Sequence, residues 1–256
     1  MAEQSELIHE VVIKFAGDSG DGMQLTGSQF TNNSALLGLD LATFPDFPAE
    51  IRAPIGTLPG VSGYQLRFSS DRIFTPGDAY DVLVAMNAAA LKVNLKSLKK
   101  GAKIIANIDG FDQKNLRLAN YAEGANPLED GTLDGYHVIK MDVTKMTREA
   151  LKEITMGVKE KDRAKNMFVL GFLYWMYNRE MDYTLNFLKE KFSKKPEILE
   201  SNVKVLQAGY HFGETTETHS GRYIVQKPKM DSGVYRSIMG NQARAYVLIA
   251  AAEKSG

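Results

Sequence analysis

Residues 11–23 read VVIKFAGDSGDGM, and this stretch decides the fold. Its first six residues form a short apolar run rich in β-branched side chains, which is typical of a strand buried on both faces. Glycines then occupy positions 17, 20 and 22, and a stretch with helix-like apolar spacing follows at 23–37. A buried strand that turns through glycines into a helix predicts the start of a βαβ unit.

The same alternation continues downstream. Further strands are predicted at 40–44, 64–68, 82–86, 103–107 and 136–141, with a helix at 88–98. Beyond position 162 the pattern becomes helical, with predicted helices at 163–179, 184–192, 196–212 and 242–254. Strands that alternate with helices, followed by a helical run, predict an α/β fold with a mainly parallel sheet, flanking helices and a helical C-terminal portion.

Charge and cysteine content exclude several classes of protein. The 256 residues contain 31 Lys plus Arg and 31 Asp plus Glu, so no excess of positive charge indicates a nucleic-acid partner. The sequence has no cysteine, which excludes disulfides, thiolate zinc sites and cysteine-ligated iron–sulfur clusters within these residues.

The pattern of apolar residues bears on the cellular location. The N-terminal ten residues lack the basic and apolar regions of a secretory signal. The longest apolar runs, such as 167–177, are too short to span a bilayer. We therefore expect a soluble, cytoplasmic protein with no membrane partner.

The glycine-rich turn leaves two interpretations open. Its spacing is G-x-x-G-x-G, which differs from the dinucleotide pattern G-x-G-x-x-G, and its two aspartates would repel a pyrophosphate. The turn either presents free helix N–H groups to an anion or is a tight structural connection without a ligand. Gly20-Asp21-Gly22 also matches the start of a magnesium–thiamine diphosphate motif, but Asn32 and Asn33 follow too early to complete it.

Several segments together resemble the gamma domain of 2-oxoacid:ferredoxin oxidoreductases. The turn GDSGDGM at 17–23 and the loop FPDFPAEIRAP at 44–54 are similar to the forms found in the 2-oxoglutarate branch, the second as a variant of a Pro-Glu-x-Arg motif. Residues 162–171 resemble the family's Lys-Asn-Met…Leu-Gly helix, and 202–215 resemble the end of the domain. Residues 239–243 look like the opening of the domain that clamps the thiamine pyrimidine.

This resemblance implies a domain plan. It predicts a Rossmann-like gamma-type domain at 1–215, a linker at 216–235 and the start of a pyrimidine-binding domain at 236–256. The apolar helix at 242–254 needs neighbours to bury its face, so we expect the chain to be truncated just inside that second domain.

The resemblance also implies a function that the chain performs only in a complex. That function is the coenzyme A-dependent oxidative decarboxylation of 2-oxoglutarate to succinyl-CoA. Thiamine diphosphate, magnesium and iron–sulfur clusters are expected in partner domains or subunits, including a thiamine-binding beta subunit, with ferredoxin as the electron acceptor. We expect the isolated chain to be inactive, with no catalytic residue or metal of its own. Two alternatives are pyruvate or another 2-oxo acid as substrate, and a non-catalytic structural or nucleotide-binding α/β subunit.

The candidate cofactor-binding residues lie in three of the matched segments. They are Gly17, Asp18, Ser19, Gly20, Asp21, Gly22, Met23, Glu50, Arg52, Lys165 and Asn166. Arg52 can grip a carboxylate or phosphate with two donors, or it can form a local ion pair with Glu50 that holds the loop. Lys165 and Asn166 either contact the ligand or form a polar start to their helix.

An aromatic run follows Lys165 and Asn166 along the chain. Its members recur at helical spacing and predict one buried helix face, the alternative being an interface with a partner subunit. They are Phe168, Phe172, Tyr174, Trp175 and Tyr177.

Overall fold

The computed structural model of the chain describes residues 5–50, 53–216, 221–228, 231, 233–236 and 238–255. The strands in these residues are β1 (Ser5–Ile8), β2 (Glu10–Asp18), β3 (Asp40–Asp46), β4 (Val61–Ser69), β5 (Tyr80–Ala85), β6 (Leu98–Asn107), β7 (His137–Met141) and β8 (Arg222–Val225). The α-helices are α1 (Met23–Leu36), α2 (Ala88–Asn94), α3 (Gln113–Leu118), α4 (Val143–Ala150), α5 (Val158–Asp162), α6 (Lys165–Met176), α7 (Asp182–Lys191), α8 (Pro196–Thr216) and α9 (Gly240–Ser255).

A six-stranded sheet with the order β3-β4-β2-β5-β6-β7 forms the centre of the fold. Strands β2, β5, β6 and β7 run parallel, whereas β4 is antiparallel to both of its neighbours. Only β4 therefore runs against the direction of the other five. The predicted α/β class with a mainly parallel sheet and flanking helices is confirmed.

Helices cover both faces of this sheet. Alternate residues of β2 point into two separate cores, since Ile13 and Phe15 belong to one and Val12 and Ala16 to the other. Helices α1, α6 and α8 pack on the first face, and α2 and α3 on the second. This explains why the sequence of β2 is mostly apolar rather than alternating between polar and apolar residues.

The aromatic run of α6 and its C-terminal turn is buried, as predicted. Its five rings are at most 3% exposed, and Phe30 of α1 and Phe212 of α8 contact members of the run. The prediction of a core face is therefore confirmed.

Two predicted helix ends are wrong. The helix predicted at 88–98 ends as α2 at Asn94, and Leu98 already opens β6, which pairs it with Tyr80 of β5. The helix predicted at 163–179 ends as α6 at Met176, because Asn178 adopts a φ of 50° and reverses the chain. Local apolar spacing continues past both ends, so periodicity alone could not locate them.

Several short elements were not predicted. Helix α3 lies in the polar stretch 109–135, and α4 and α5 lie between β7 and α6. Strand β8 lies within the segment expected to be a linker and pairs in parallel with β1, so that Ser5 is opposite Arg222. Pairing between strands far apart in the chain, such as β1 and β8, leaves no local signal in the sequence. The domain boundaries themselves stay a prediction.

Helix α9 has no buried residue. Its apolar side chains are exposed, including Tyr246, Val247, Leu248 and Ile249 at 56–70%. Within the described parts of the chain, no helix combines the length and the apolar character that crossing a membrane requires.

Candidate functional site

The glycine-rich turn lies where the sheet changes its winding direction. From β2 the chain passes through α1 to β3 on one side, whereas β5 lies on the other side of β2 and leads through α2 to β6. Helices α1 and α2 cover opposite faces, so the carboxyl ends of β2 and β5 mark a topological switch point of the sheet. Such switch points are the usual ligand sites of open α/β sheets.

The turn itself has a compact and specific shape. Strand β2 ends at Asp18, a single 3-10 turn spans Ser19–Asp21, and α1 begins at Met23. Ser19 and Gly20 form the exposed tip. Gly22 has a φ of 73°, and a Cβ there would lie 2.8 Å from Nδ2 of Asn166, so the backbone conformation and the close neighbour both require glycine.

Asp21 holds the turn together. Its Oδ2 accepts a hydrogen bond of 2.8 Å from the backbone N–H of Asp18, and its Oδ1 lies 2.6 Å from Nζ of Lys165. The carboxylate is therefore both hydrogen-bonded and paired with a cation. Its charge is largely neutralised locally, which weakens the repulsion that the sequence alone predicts between this turn and an anion.

Asp18 joins three segments at the carboxyl edge of the sheet. Its Oδ1 accepts from the N–H of Gly56, and its Oδ2 accepts from Nδ2 of Asn87, each at 2.9 Å. Burial raises the pKa of the Asp18 carboxyl, and the nearby Asp21 raises it further, while the hydrogen bonds and Lys165 act in the opposite direction. The residue anchors the loop after β3 and the start of α2 to the glycine turn.

Lys165 and Asn166 contact the turn although they lie about 140 residues further along the chain. They open α6, whose first turn packs beside the first turn of α1. Asn166 is buried, and its backbone carbonyl accepts a bond of 3.4 Å from Oγ1 of Thr26. The predicted glycine turn and the predicted start of α6 thus meet in space. The contacts of Lys165 and Asn166 within the chain are also those expected if the two residues have only a structural role.

The third predicted segment is only partly described. Glu50 is exposed, and its carbonyl accepts a bond from Ala53. Arg52 lies outside the described residues, so the Glu50–Arg52 pair and an anion contact of Arg52 stay predictions. The loop after β3 nevertheless reaches the glycine turn, because the N–H of Gly56 donates a hydrogen bond to Asp18.

Within the described ranges, no group of three or more His, Cys, Asp or Glu side chains is arranged to hold a metal ion.

Comparison with known proteins assigns the family. The model of the family described as pyruvate ferredoxin/flavodoxin oxidoreductase matches residues 12–212. The chain belongs to this family. The match spans the sheet, the glycine turn and the opening of α6 that packs against it.

Individual relatives of this oxidoreductase family agree. The chain is 49% identical over 255 residues to the 2-oxoglutarate oxidoreductase subunit KorA of Mycobacterium tuberculosis, and the match covers 100% of the chain but 39% of that relative. The chain therefore spans well under half the length of this relative.

Solved structures of relatives share the fold. A 2-oxoglutarate:ferredoxin oxidoreductase from Magnetococcus marinus, with 2-oxoglutarate, coenzyme A and succinyl-CoA bound, matches with a TM-score of 0.65 and 25% identity, over 87% of this chain and 34% of that one. The gamma subunit of a keto/oxoacid ferredoxin oxidoreductase from Geobacter sulfurreducens matches with a TM-score of 0.52 and 17% identity, over 80% of this chain and 99% of that one. At that identity the second match shows the fold alone.

Sequence reasoning missed three residues at the carboxyl edge of the sheet. Asn87 lies two residues beyond the end of β5 and accepts a bond of 2.8 Å from the N–H of Ala90, so it caps α2 while its amide donates to Asp18. Asn107 ends β6 and links the carbonyl of Met86 to the N–H of Val143. A Cβ at Gly110 would overlap the carbonyl oxygen of Met86. An asparagine at or just beyond the carboxyl end of an apolar strand is the signal that would have found the first two.

Proposed function

We propose that the chain is the gamma-type part of a 2-oxoglutarate oxidoreductase that produces succinyl-CoA with coenzyme A as co-substrate. The observation that carries this proposal is the 49% identity to the KorA subunit across the chain. The bound 2-oxoglutarate, coenzyme A and succinyl-CoA of the Magnetococcus marinus relative support the same substrates. The chain covers 39% of the KorA relative, so the activity is proposed for the complex and not for these residues alone.

We propose that the glycine turn binds a phosphate of coenzyme A. The tip at Ser19 and Gly20 is exposed, and a Cβ at Gly20 would meet nothing within 4 Å, so a ligand phosphate has free access. Helix α1 begins directly behind the tip, and a helix N-terminus attracts negative charge. Lys165, with its side chain 23% exposed and held in position by Asp21, supplies a further hydrogen-bond donor beside the tip. We assign phosphate binding to the backbone of 19–23 and to Lys165.

The electron-transfer chemistry is assigned to partners. Thiamine diphosphate supplies the carbanion chemistry of decarboxylation when it is bound. Because the 256 residues contain no cysteine, thiolate-ligated iron–sulfur clusters belong to partner domains or subunits in this proposal, as do thiamine diphosphate, its magnesium and the contact with ferredoxin. In this proposal the chain binds and orients coenzyme A and helps to shield the active-site cleft of the complex from water.

Reconstitution tests the proposal directly. The full natural protein would be co-expressed with its thiamine-binding partner, and viologen reduction would be followed with 2-oxoglutarate or pyruvate, with and without coenzyme A. We expect reduction that requires both 2-oxoglutarate and coenzyme A. Reduction with pyruvate in place of 2-oxoglutarate would keep the family and overturn the substrate. A cofactor-loaded complex that reduces viologen with neither acid would overturn the proposed activity.

Gly20→Val separates coenzyme A binding from a purely structural turn. The added side chain projects into open space, so we expect an unchanged free energy of unfolding. In the complex we expect the KM for coenzyme A to rise about tenfold, the equivalent of one lost charge-assisted hydrogen bond, with the KM for 2-oxoglutarate unchanged.

Gly135→Val is the matched control, because its Cβ also meets nothing within 4 Å and residue 135 precedes β7 on another loop. It should leave both KM values unchanged. Equal KM values for coenzyme A in Gly20→Val and the unmodified complex would favour the alternative of a ligand-free structural turn.

A further inference from the structure

Arg179 is placed inside the fold by the helix end that precedes it. Asn178 adopts a φ of 50°, its N–H donates to the carbonyl of Trp175 at 3.1 Å, and the N–H of Arg179 donates to Tyr174 at 2.7 Å. This pair of bonds is the Schellman cap. In this motif the residue after the left-handed one usually makes an apolar contact with the helix. Here that residue is Arg179.

The guanidinium of Arg179 is buried among aromatic rings. The residue is 5% exposed, and its Cζ lies 5.9 Å from the ring centre of Phe30 and 5.5 Å from that of Phe68. Such cation–π contacts offset part of the cost of burying the charge. Burial lowers the pKa of Arg179 to about 10. A buried cation is normally paired, so the lack of an anionic partner for Arg179 among the described residues needs an explanation.

The two unused donors of Arg179 form a carboxylate-binding edge. Nε and Nη2 are buried and have no hydrogen-bond partner among the described residues. Arg148 shows what this edge does when it is occupied, since its Nε and Nη2 donate to the two carboxylate oxygens of Asp162, each at 2.7 Å. Arg179 presents the same pair of donors without an acceptor.

A cavity of about 400 Å³ lies beside this arginine. It is lined by residues 178–182 together with Leu185 and Tyr210, and its volume suits a small molecule. Glu180 and Asp182, both exposed, place negative charge along its lining. Two carboxylates disfavour phosphates and polycarboxylates, and they favour a ligand whose own positive charge offsets its carboxylate.

We propose that this cavity is a binding site for a small zwitterionic carboxylate, an amino acid in chemical class, whose carboxylate is gripped by Nε and Nη2 of Arg179. Both nitrogens are closed to solvent, so this binding mode requires the guanidinium to turn away from its rings towards the cavity. The site is separate from the glycine turn. Lys165 begins α6 and Arg179 follows its end, and a helix of 12 residues is about 18 Å long.

Nuclear magnetic resonance tests the site on the ¹⁵N-labelled chain. The Nε–H signal of Arg179, assigned by its loss in Arg179→Met, would be followed while glycine is titrated at constant ionic strength. We expect a saturable shift, with acetate binding more weakly because it lacks the ammonium group, and with inorganic phosphate weaker still. Arg179→Lys keeps the charge but not the paired donors, and we expect about tenfold weaker binding of glycine, followed by backbone amides of 178–182.

A stability measurement keeps the test independent of that one signal. Glycine should raise the unfolding midpoint of the unmodified chain and of the control Arg148→Met, whose arginine already pairs with Asp162. It should leave the midpoint of Arg179→Met unchanged. The proposal is overturned by the lack of a saturable shift, by an equal response to glycine in Arg179→Met, or by tighter binding of phosphate than of glycine.

Discussion

Gly171→Ala is expected to lower the free energy of unfolding by about 3 kcal/mol, at the upper end of the cost of overpacking. Helices α6 and α8 touch backbone to backbone, and a Cβ at Gly171 would overlap the carbonyl oxygen of Leu206. Gly209 makes the reciprocal contact, since its Cβ would overlap the carbonyl oxygen of Phe168. Neither obstacle is a flexible side chain, so the methyl group can be accommodated only if the helices separate.

Urea unfolding followed by far-ultraviolet circular dichroism measures this effect. Gly135→Ala is the control, because its Cβ meets nothing within 4 Å and it should change the midpoint little. Destabilisation of that size would remove a large part of the stability of a typical domain. If Gly171→Ala unfolded at the same urea concentration as Gly135→Ala, the close packing of α6 on α8 would be wrong.

Asp18→Ala is expected to release the loop after β3 from the glycine turn and to cost about 2 kcal/mol of unfolding free energy. The change leaves the N–H of Gly56 and the amide of Asn87 without their acceptor. The relief of burying a carboxylate offsets part of this cost. Hydrogen exchange gives the sharper readout, since the Gly56 amide should lose protection.

The control for this variant is Asp134→Ala, which removes an exposed carboxylate. It should leave the exchange of Gly56 unchanged. Full protection of Gly56 in Asp18→Ala would contradict the anchoring role of Asp18.

The pH dependence of the free energy of unfolding reports on the burial of the Asp18 carboxyl. The pKa of Asp18 is raised in the folded chain, chiefly by burial. The folded state therefore binds the proton more tightly than the unfolded state. The stabilisation from this group is complete below the unfolded pKa and is lost as the pH rises through the folded pKa. Asp18→Asn, which cannot titrate, should lack this part of the profile.

The fold class was accessible from sequence because its signals are local. The mostly apolar run of β2, the glycines after it and the helical spacing of α6 each lie within one short window. Such windows identify buried parallel strands and core helices through their period. Helix ends were less accessible, because α2 and α6 stop where the chain meets a strand partner or a left-handed residue while the apolar pattern continues.

The candidate site was accessible only in part. The sequence marks Asp18 and Asp21 as charges that would repel an anion, whereas the structure shows Asp21 beside Lys165 and Asp18 as the acceptor for Gly56 and Asn87. Those partners come from distant parts of the chain, so no local pattern could reveal them. Arg179 is the clearest instance, since its sequence neighbours give no sign that it is buried.

By itself, then, the sequence determined the α/β class, the buried strand with its glycine turn, and the family to which the chain belongs, because period and motif are properties of neighbouring residues. Tertiary structure alone decided that α6 begins against α1 and that residue 171 must be glycine. It also decided that Nε and Nη2 of Arg179 have no acceptor among the described residues. These facts depend on contacts between segments far apart in the chain. Burial and pairing follow from where the folded backbone brings those segments together.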